Sequence, residues 1–329
     1  MKKFKNIFIT GGAGYVGSAL VPRLLDKGYN VTVYDLFIYG DTLKEHPRLK
    51  KIKGDIRNRE EMIEDVNGHD AFIHLACVSN DPSFDLDPAL SRSINYEAFT
   101  NILDAVKLNN MRRFILASST SQYGIKDTNI QVTEDIEPKP ITDYAKYKLE
   151  CEKLTKEADL EAEYVFVRPA TLCGYAPRLR LDLSINILTI NALQNKIIKI
   201  FGGDQLRPAL NIKDMARVYE LMLEVHGEKI NGEAFNVGYQ NMSIREMAEL
   251  IKSTIGYPEI KFEVVPTNDY RSYHINSNKI KRVLGFENKF TIEDAIKSLV
   301  EAYNQGLIKD GINNPVYHNL KQMKLINLK

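Results

Sequence analysis

The chain has 329 residues, room for one large or two medium domains at roughly 100–200 residues each. With 44% apolar and 26% charged residues it has the composition of an ordinary water-soluble globular protein. The 44 basic and 43 acidic residues leave a formal charge of +1 and no basic stripe, so a nucleic-acid partner is not expected.

A lysine-rich start (Lys2, Lys3, Lys5) is followed only by Ile7-Phe8-Ile9, too short for a secretory signal. No uncharged apolar run approaches the ~20 residues of a membrane span, so no membrane association is expected either. From there the chain alternates short β-rich runs (6–10, 31–34, 71–75, 114–117 and 164–167) with helical stretches at 15–27, 89–109 and 144–158. Such apolar runs suit strands covered on both faces, and repeated strand–helix–strand units imply a parallel sheet with right-handed crossovers. The expected fold class is α/β, a Rossmann-like doubly wound parallel sheet.

After Pro169 the rhythm changes. Helical patterns at 184–195 and 214–225 flank a turn at Gly202-Gly203, and later helices start at capping boxes Ser243-x-x-Glu246 and Thr291-x-x-Asp294. The expected division is a cofactor domain over 1–170, joined by parts of 205–240, and a smaller mixed α/β substrate domain over most of 171–329. Residues 306–329 are polar and weakly periodic, a loose tail or a strap. Cys77, Cys151 and Cys173 are odd in number and widely spaced with no CxxC. They argue against a disulfide framework or a metal site and fit a reducing cytoplasm.

Gly11-Gly12-Ala13-Gly14-Tyr15-Val16-Gly17 joins the first strand to the first helix. Glycines 11, 14 and 17 permit a sharp turn, close approach to a pyrophosphate and tight helix–sheet packing, and the helix-opening amides then face the phosphates. Tyr15 and Val16 are therefore candidate cofactor contacts too. Asp35 ends the second strand, where a carboxylate accepts from ribose hydroxyls and repels a 2′-phosphate, so NAD is expected over NADP. Asp55 and Ile56, after the third strand, and Leu75 and Ala76, ending the fourth, lie where a dinucleotide would pass.

Tyr144-Ala145-Lys146-Tyr147-Lys148 places Tyr144 and Lys148 four apart, on one helix face. A phenol is a poor base at neutral pH unless a neighbouring cation favours phenolate. Tyr147 lacks such a partner, because its own i+4 residue is Cys151. Ser118-Ser119-Thr120-Ser121 closes the fifth strand, and spacing alone does not decide which hydroxyl would hold a substrate oxygen.

This ordered set of motifs, GGAGYVG, Asp35, DAFIHLA, SSTSQYG and YxxxK, resembles the extended short-chain dehydrogenases/reductases. More narrowly it is similar to the NAD-dependent nucleotide-sugar epimerase/dehydratase family of UDP-glucose 4-epimerase type. The resemblance selects Ser119 as the catalytic hydroxyl beside Tyr144 and Lys148, with Lys148 also on the nicotinamide ribose. It marks Asn95 as a residue shaping the active-site helix. For the nucleotide-diphosphate sugar it implies Thr171, Arg207 and Arg271, with Arg178 and Arg180 in a further basic cluster. It also implies a homodimer paired through the helices at 89–109 and 144–158. Thr120 and Ser121 stand where the family's dehydratases carry Asp-Glu, so 4,6-dehydration is not expected. Cys77, Cys173 and His74 are candidates for additional acid–base chemistry. The expected reaction is hydride transfer at C4, a 4-epimerase. The alternatives are a 4-dehydrogenase releasing a 4-keto sugar and a non-catalytic NAD(H) sensor.

Overall fold

The computed structural model describes residues 3–124, 130–267 and 274–328. Seven parallel strands form the central sheet: β1 (Asn6–Thr10), β2 (Asn30–Asp35), β3 (Leu49–Lys53), β4 (Ala71–His74), β5 (Arg113–Ala117), β6 (Glu163–Pro169) and β7 (Glu233–Val237). Their order is β7-β6-β5-β4-β1-β2-β3. The chain runs outward from β1 to β3, returns to β4 beside β1, and continues outward on the other side. The reversal point therefore lies between β1 and β4, and ligands of such sheets bind outside the strand carboxyl ends there.

Period-two alternation sorts the strand side chains between two cores. Ile7, Ile9, Val31, Val33 and Ile115 face helices Tyr15–Asp26 and Ile212–Glu224 through Leu20, Leu24, Met215 and Tyr219. The opposite face carries Phe8, Phe72, Phe114 and Phe166. Phe8 meets Phe72 edge-on at 5.2 Å and Phe72 meets Phe114 at 5.7 Å, contacts worth about 0.5–1.5 kcal/mol each beyond their burial. Strand β7 comes from the 205–240 stretch, and Arg113, fully buried on β5, donates to the Met222 and Val225 carbonyls at the end of helix Ile212–Glu224.

One expectation is revised. The single helix at 89–109 is broken into Pro88–Arg92, a wide π-turn at Ser93–Glu97, and Phe99–Leu108. The break seats Asn95, whose amide accepts from the Val78 N–H and donates to the Val78 carbonyl, both at 2.8 Å. Of the two forms expected for 306–329, a loose tail or a strap, the described residues 306–328 take the strap. The Leu181 N–H donates to the Tyr317 carbonyl, and helix Asn319–Ile326 inserts Met323 into the core behind the sheet.

The second half builds a three-stranded sheet, Gln240–Ser243, Leu206–Asn211 and Thr171–Cys173 in that order, and a pair, Ile197–Phe201 with Lys261–Val265. Helices Ser184–Asn195, Ile244–Ile255 and Ile292–Asn304 cover them over Leu188, Ile198, Met247 and Ile296. Pro208 is tolerated in the middle strand because its parallel ladder with Thr171–Cys173 begins only at Ala209.

Candidate active site

One cleft of about 930 Å³ runs along the carboxyl ends of the central strands and into the second lobe. At one end stands the glycine loop. A Cβ on Gly11, whose φ is +71°, would sit 2.5 Å from the Ala76 amide nitrogen, and one on Gly17 would sit 2.2 Å from the Gly12 carbonyl oxygen. Only glycine lets the loop lie this close to the end of β4 and the helix this close to the loop. Gly11, Gly14, Tyr15 and Val16 line the cleft, whereas Gly17 packs behind it. Gly14 caps helix Tyr15–Asp26 without a side-chain bond, so the opening amides face the cleft without a side-chain cap. This cradle, too tight for any side chain, fits a dinucleotide backbone.

Asp35 accepts from the Ala13 amide at 2.9 Å and the Phe37 amide at 2.8 Å. Burial lifts its carboxyl above the usual range, and those two amides oppose the lift. Asp55 and Ile56 also border the cleft, and the Arg57 guanidinium chelates Asp55. Leu75 and Ala76 line the floor.

At the centre, helix Asp143–Glu157 is capped by Thr142 and turns Tyr144 and Lys148 onto the cleft wall. The Lys148 ammonium, 8% exposed, donates to the Ala117 carbonyl at 2.7 Å and lies 5.9 Å from the Tyr144 ring centroid. Burial lifts the Tyr144 phenol above its usual pKa, while Lys148 pulls it down. Tyr147 is turned away and stacks on Tyr96 at 5.1 Å.

The four hydroxyls after β5 have distinct fates. Ser118 donates to buried Glu152 at 2.5 Å, within a network that joins Arg168, Tyr123 and Asn236. Thr120 donates to the Pro169 carbonyl. Ser119 and Ser121 share a 2.9 Å hydrogen bond and stay half-exposed. All four residues border the cleft with Tyr144 and Lys148, but the Ser118 and Thr120 hydroxyls are engaged by Glu152 and the Pro169 carbonyl, whereas those of Ser119 and Ser121 bond, among the described residues, only within that pair.

Of the other acid–base candidates, only Cys77 lines the cleft. His74 is buried against the Thr10 hydroxyl at 2.7 Å, and burial together with the Lys148 charge pushes it down to about 3. Cys173 lies in the core of the second lobe, where burial pushes its thiol up.

Thr171 and Arg207 line the far arm of the cleft with Phe201 and Gln205. Arg180 is held by Asp182 at 2.7 Å, and its charge acts on Tyr144. Arg178 lies on the glycine-loop side of the cleft. Its backbone N–H donates to Ser18 in the first helix, and its guanidinium covers the Tyr39 ring at 3.8 Å. Arg271 lies outside the described residues.

Sequence reasoning missed Tyr39, Asn80, Asp182 and the strap residue Asn319. Asn80 has φ +76° and ψ 154°, a region that ordinarily needs glycine, and its amide donates to Asp182 at 2.5 Å. None of these residues carries a spacing pattern. The strap's polarity was its only signal.

The chain resembles several characterised proteins. It is 28% identical to UDP-glucose 4-epimerase of Lactobacillus helveticus over 88% of this chain and 94% of that protein. It is also 28% identical to UDP-glucuronic acid decarboxylase 4 of Arabidopsis thaliana, over 94% of this chain and 71% of that protein. The solved UDP-glucose 4-epimerase of Thermotoga maritima with UDP-glucose superimposes with a TM-score of 0.83 at 25% identity, over 92% of this chain and 99% of that one. The NAD dependent epimerase/dehydratase family model matches residues 7–238, spanning the glycine loop, the hydroxyl run, the Tyr144–Lys148 pair and strand β7. The chain belongs to the NAD dependent epimerase/dehydratase family.

Proposed function

We propose that the protein is an NAD-dependent 4-epimerase of a nucleotide-diphosphate sugar. The observation that carries this reading is a single cleft lined by the glycine cradle, by Ser119, Tyr144 and Lys148, and by the Arg207 arm. The similarity to epimerases from Lactobacillus helveticus and Thermotoga maritima supports it and favours a uridine diphosphate sugar.

In this reading residues 1–170 with β7 hold the cofactor, and most of 171–329 holds the sugar nucleotide. Gly11, Gly14, Tyr15 and Val16 cradle the diphosphate of NAD. Asp35 accepts from the adenosine ribose, and Asp55, Ile56, Leu75 and Ala76 frame the rest. NAD, when bound, supplies the acceptor and donor of a hydride. The Tyr144 phenolate takes the proton of the C4 hydroxyl, and Ser119 donates to that oxygen and holds it in place. Lys148 keeps the phenolate charged and binds the nicotinamide ribose. Thr171, Arg180 and Arg207 contact the sugar diphosphate, where a guanidinium fork matches phosphate oxygens. Thr120 and Ser121 offer no carboxyl acid, so water is not eliminated from C5–C6. The keto sugar then turns over in the wide cleft and is reduced on its other face, with Tyr144 returning the proton.

The cytoplasm suits three free cysteines, and among the described residues no helix is long and apolar enough to cross a membrane. A homodimer through helices Phe99–Leu108 and Asp143–Glu157 completes the proposal. Proton NMR of the protein with NAD and a panel of UDP-, GDP- and dTDP-sugars tests the reaction. A new sugar anomeric signal with NAD unchanged supports the epimerase. A keto sugar formed in step with reduced cofactor replaces it with the 4-dehydrogenase.

A further inference from the structure

The C-terminal strap crosses the cofactor end of the cleft, and four hydrogen bonds fasten it there. Asn319, 3% exposed, accepts from the Arg178 guanidinium at 2.5 Å and donates to the Ser79 hydroxyl at 3.0 Å and the Ser79 carbonyl at 3.4 Å. Gln322 donates to the Ile38 carbonyl at 2.6 Å, just beyond Asp35. The strap thereby bridges the loops that follow β2 and β4, the two strands flanking β1, and His318, Asn319, Lys321 and Met323 line the cleft.

Arg178 beneath it is a buried cation with no carboxylate in hydrogen-bond contact among the described residues. It is 4% exposed, and its Nε has no hydrogen-bond partner although the group is shut away from solvent. Burial pulls the guanidinium down to about 10. By contrast, Arg180, two residues on, is neutralised by Asp182. A buried guanidinium with an unused donor is costly unless an anion completes it. The Arg178 backbone N–H, bonded to Ser18, ties residue 178 to the first turn of the helix whose opening amides face the cleft, while the guanidinium lies over the Tyr39 ring between that helix and the strap.

We propose that Arg178 binds the diphosphate of the dinucleotide, and that Asn319, as a positioning residue on the strap, holds Arg178 there and encloses the cofactor against release. This rests on the NAD reading above. It assigns Arg178 to the cofactor rather than to the sugar, and it makes a function for 319–328 that no motif announced. Enclosure also suits a redox-neutral cycle, because the same cofactor must serve both half-reactions.

The test needs no sugar substrate. Protein loaded with NAD is rapidly desalted, and retained NAD is followed over time by chromatography. ADP and adenosine are titrated calorimetrically into the NAD-free protein. Asn319→Ala and Gln322→Ala should each release NAD about tenfold faster than wild type, the scale of one lost charged or buried hydrogen bond. Gln322→Ala should leave the NAD-free melting temperature close to wild type, whereas Asn319→Ala, which strips buried Arg178 and Ser79 of a partner, should lower it. Asn319→Asp keeps the oxygen facing Arg178 and should release NAD more slowly than Asn319→Ala. Arg178→Gln should weaken ADP at least tenfold and leave adenosine unchanged. Wild-type release rates in both strap variants, or equal weakening of ADP and adenosine, would overturn the inference while leaving the NAD site standing. Failure of the wild-type protein to bind NAD or ADP would instead remove the reading beneath it.

Discussion

Tyr144 and Lys148 share a helix face, but their environment rather than their spacing sets the chemistry. The phenol is buried, which alone would keep it protonated, and the ammonium is the nearby charge that opposes this. Tyr144→Phe should lower turnover by about 10²–10⁴-fold, the range for removing a general acid–base, while NAD binding stays intact. A rapid-mixing assay beside an NAD titration checks both. Lys148→Met removes the group that lowers the Tyr144 pKa. The acidic limb of the kcat/KM profile should therefore move to higher pH, and an unmoved limb would assign Lys148 to cofactor binding alone. At this scale the glycines, Asp35, Tyr144 and Lys148 were legible because their relations are local in sequence. The choice among Ser118, Ser119, Thr120 and Ser121 was not legible from spacing and came only from the family resemblance. It depends on Glu152 and Pro169, which lie 34 and 49 residues away from Ser118 and Thr120. Arg178 was legible as a charge but not as a buried one stacked on Tyr39 and bonded to the strap.

The element that sequence periodicity misreads is the stretch at 89–109. Its apolar spacing suits one continuous helix, yet the π-turn at Ser93–Glu97 widens the backbone around Asn95. The amide of Asn95 then satisfies both main-chain groups of Val78, beside Cys77 and Ser79 on the cleft wall. Asn95→Ala leaves two buried backbone groups unpaired, at about 1–3 kcal/mol for each. Urea unfolding should show a stability loss of that size, and turnover should fall as the 76–82 loop shifts. An unchanged midpoint would make the π-turn incidental. Helices Ser184–Asn195, Ile244–Ile255 and Ile292–Asn304 were legible from periodicity and capping boxes. The strands between them were not, because Thr171–Cys173 and Gln240–Ser243 are three and four residues long. Their existence depends on pairing with Leu206–Asn211, a relation no local window contains.

Across the whole molecule, three separate stretches of chain converge on one cleft. The first half supplies the glycine loop and the Tyr144–Lys148 pair, the 171–267 stretch supplies the far arm, and the last residues strap the glycine-loop end. The alternating pattern of the first 170 residues made the sheet and the position of its ligand edge readable, because each strand–helix unit repeats one handed connection. The sequence left a strap and a loose tail equally open, because the deciding contacts, Asn319 to Arg178 and Gln322 to Ile38, span 141 and 284 residues. In the proposed reaction C4 of the sugar is inverted by departure and return of its own hydrogen as hydride, while Tyr144 exchanges only the hydroxyl proton. Conversion of the responding nucleotide sugar in deuterium oxide, read by proton NMR, tests this most directly. The account predicts a product with inverted C4 that retains hydrogen on that carbon. Deuterium at C4 would mean that a proton, not a hydride, leaves the carbon, and would contradict it.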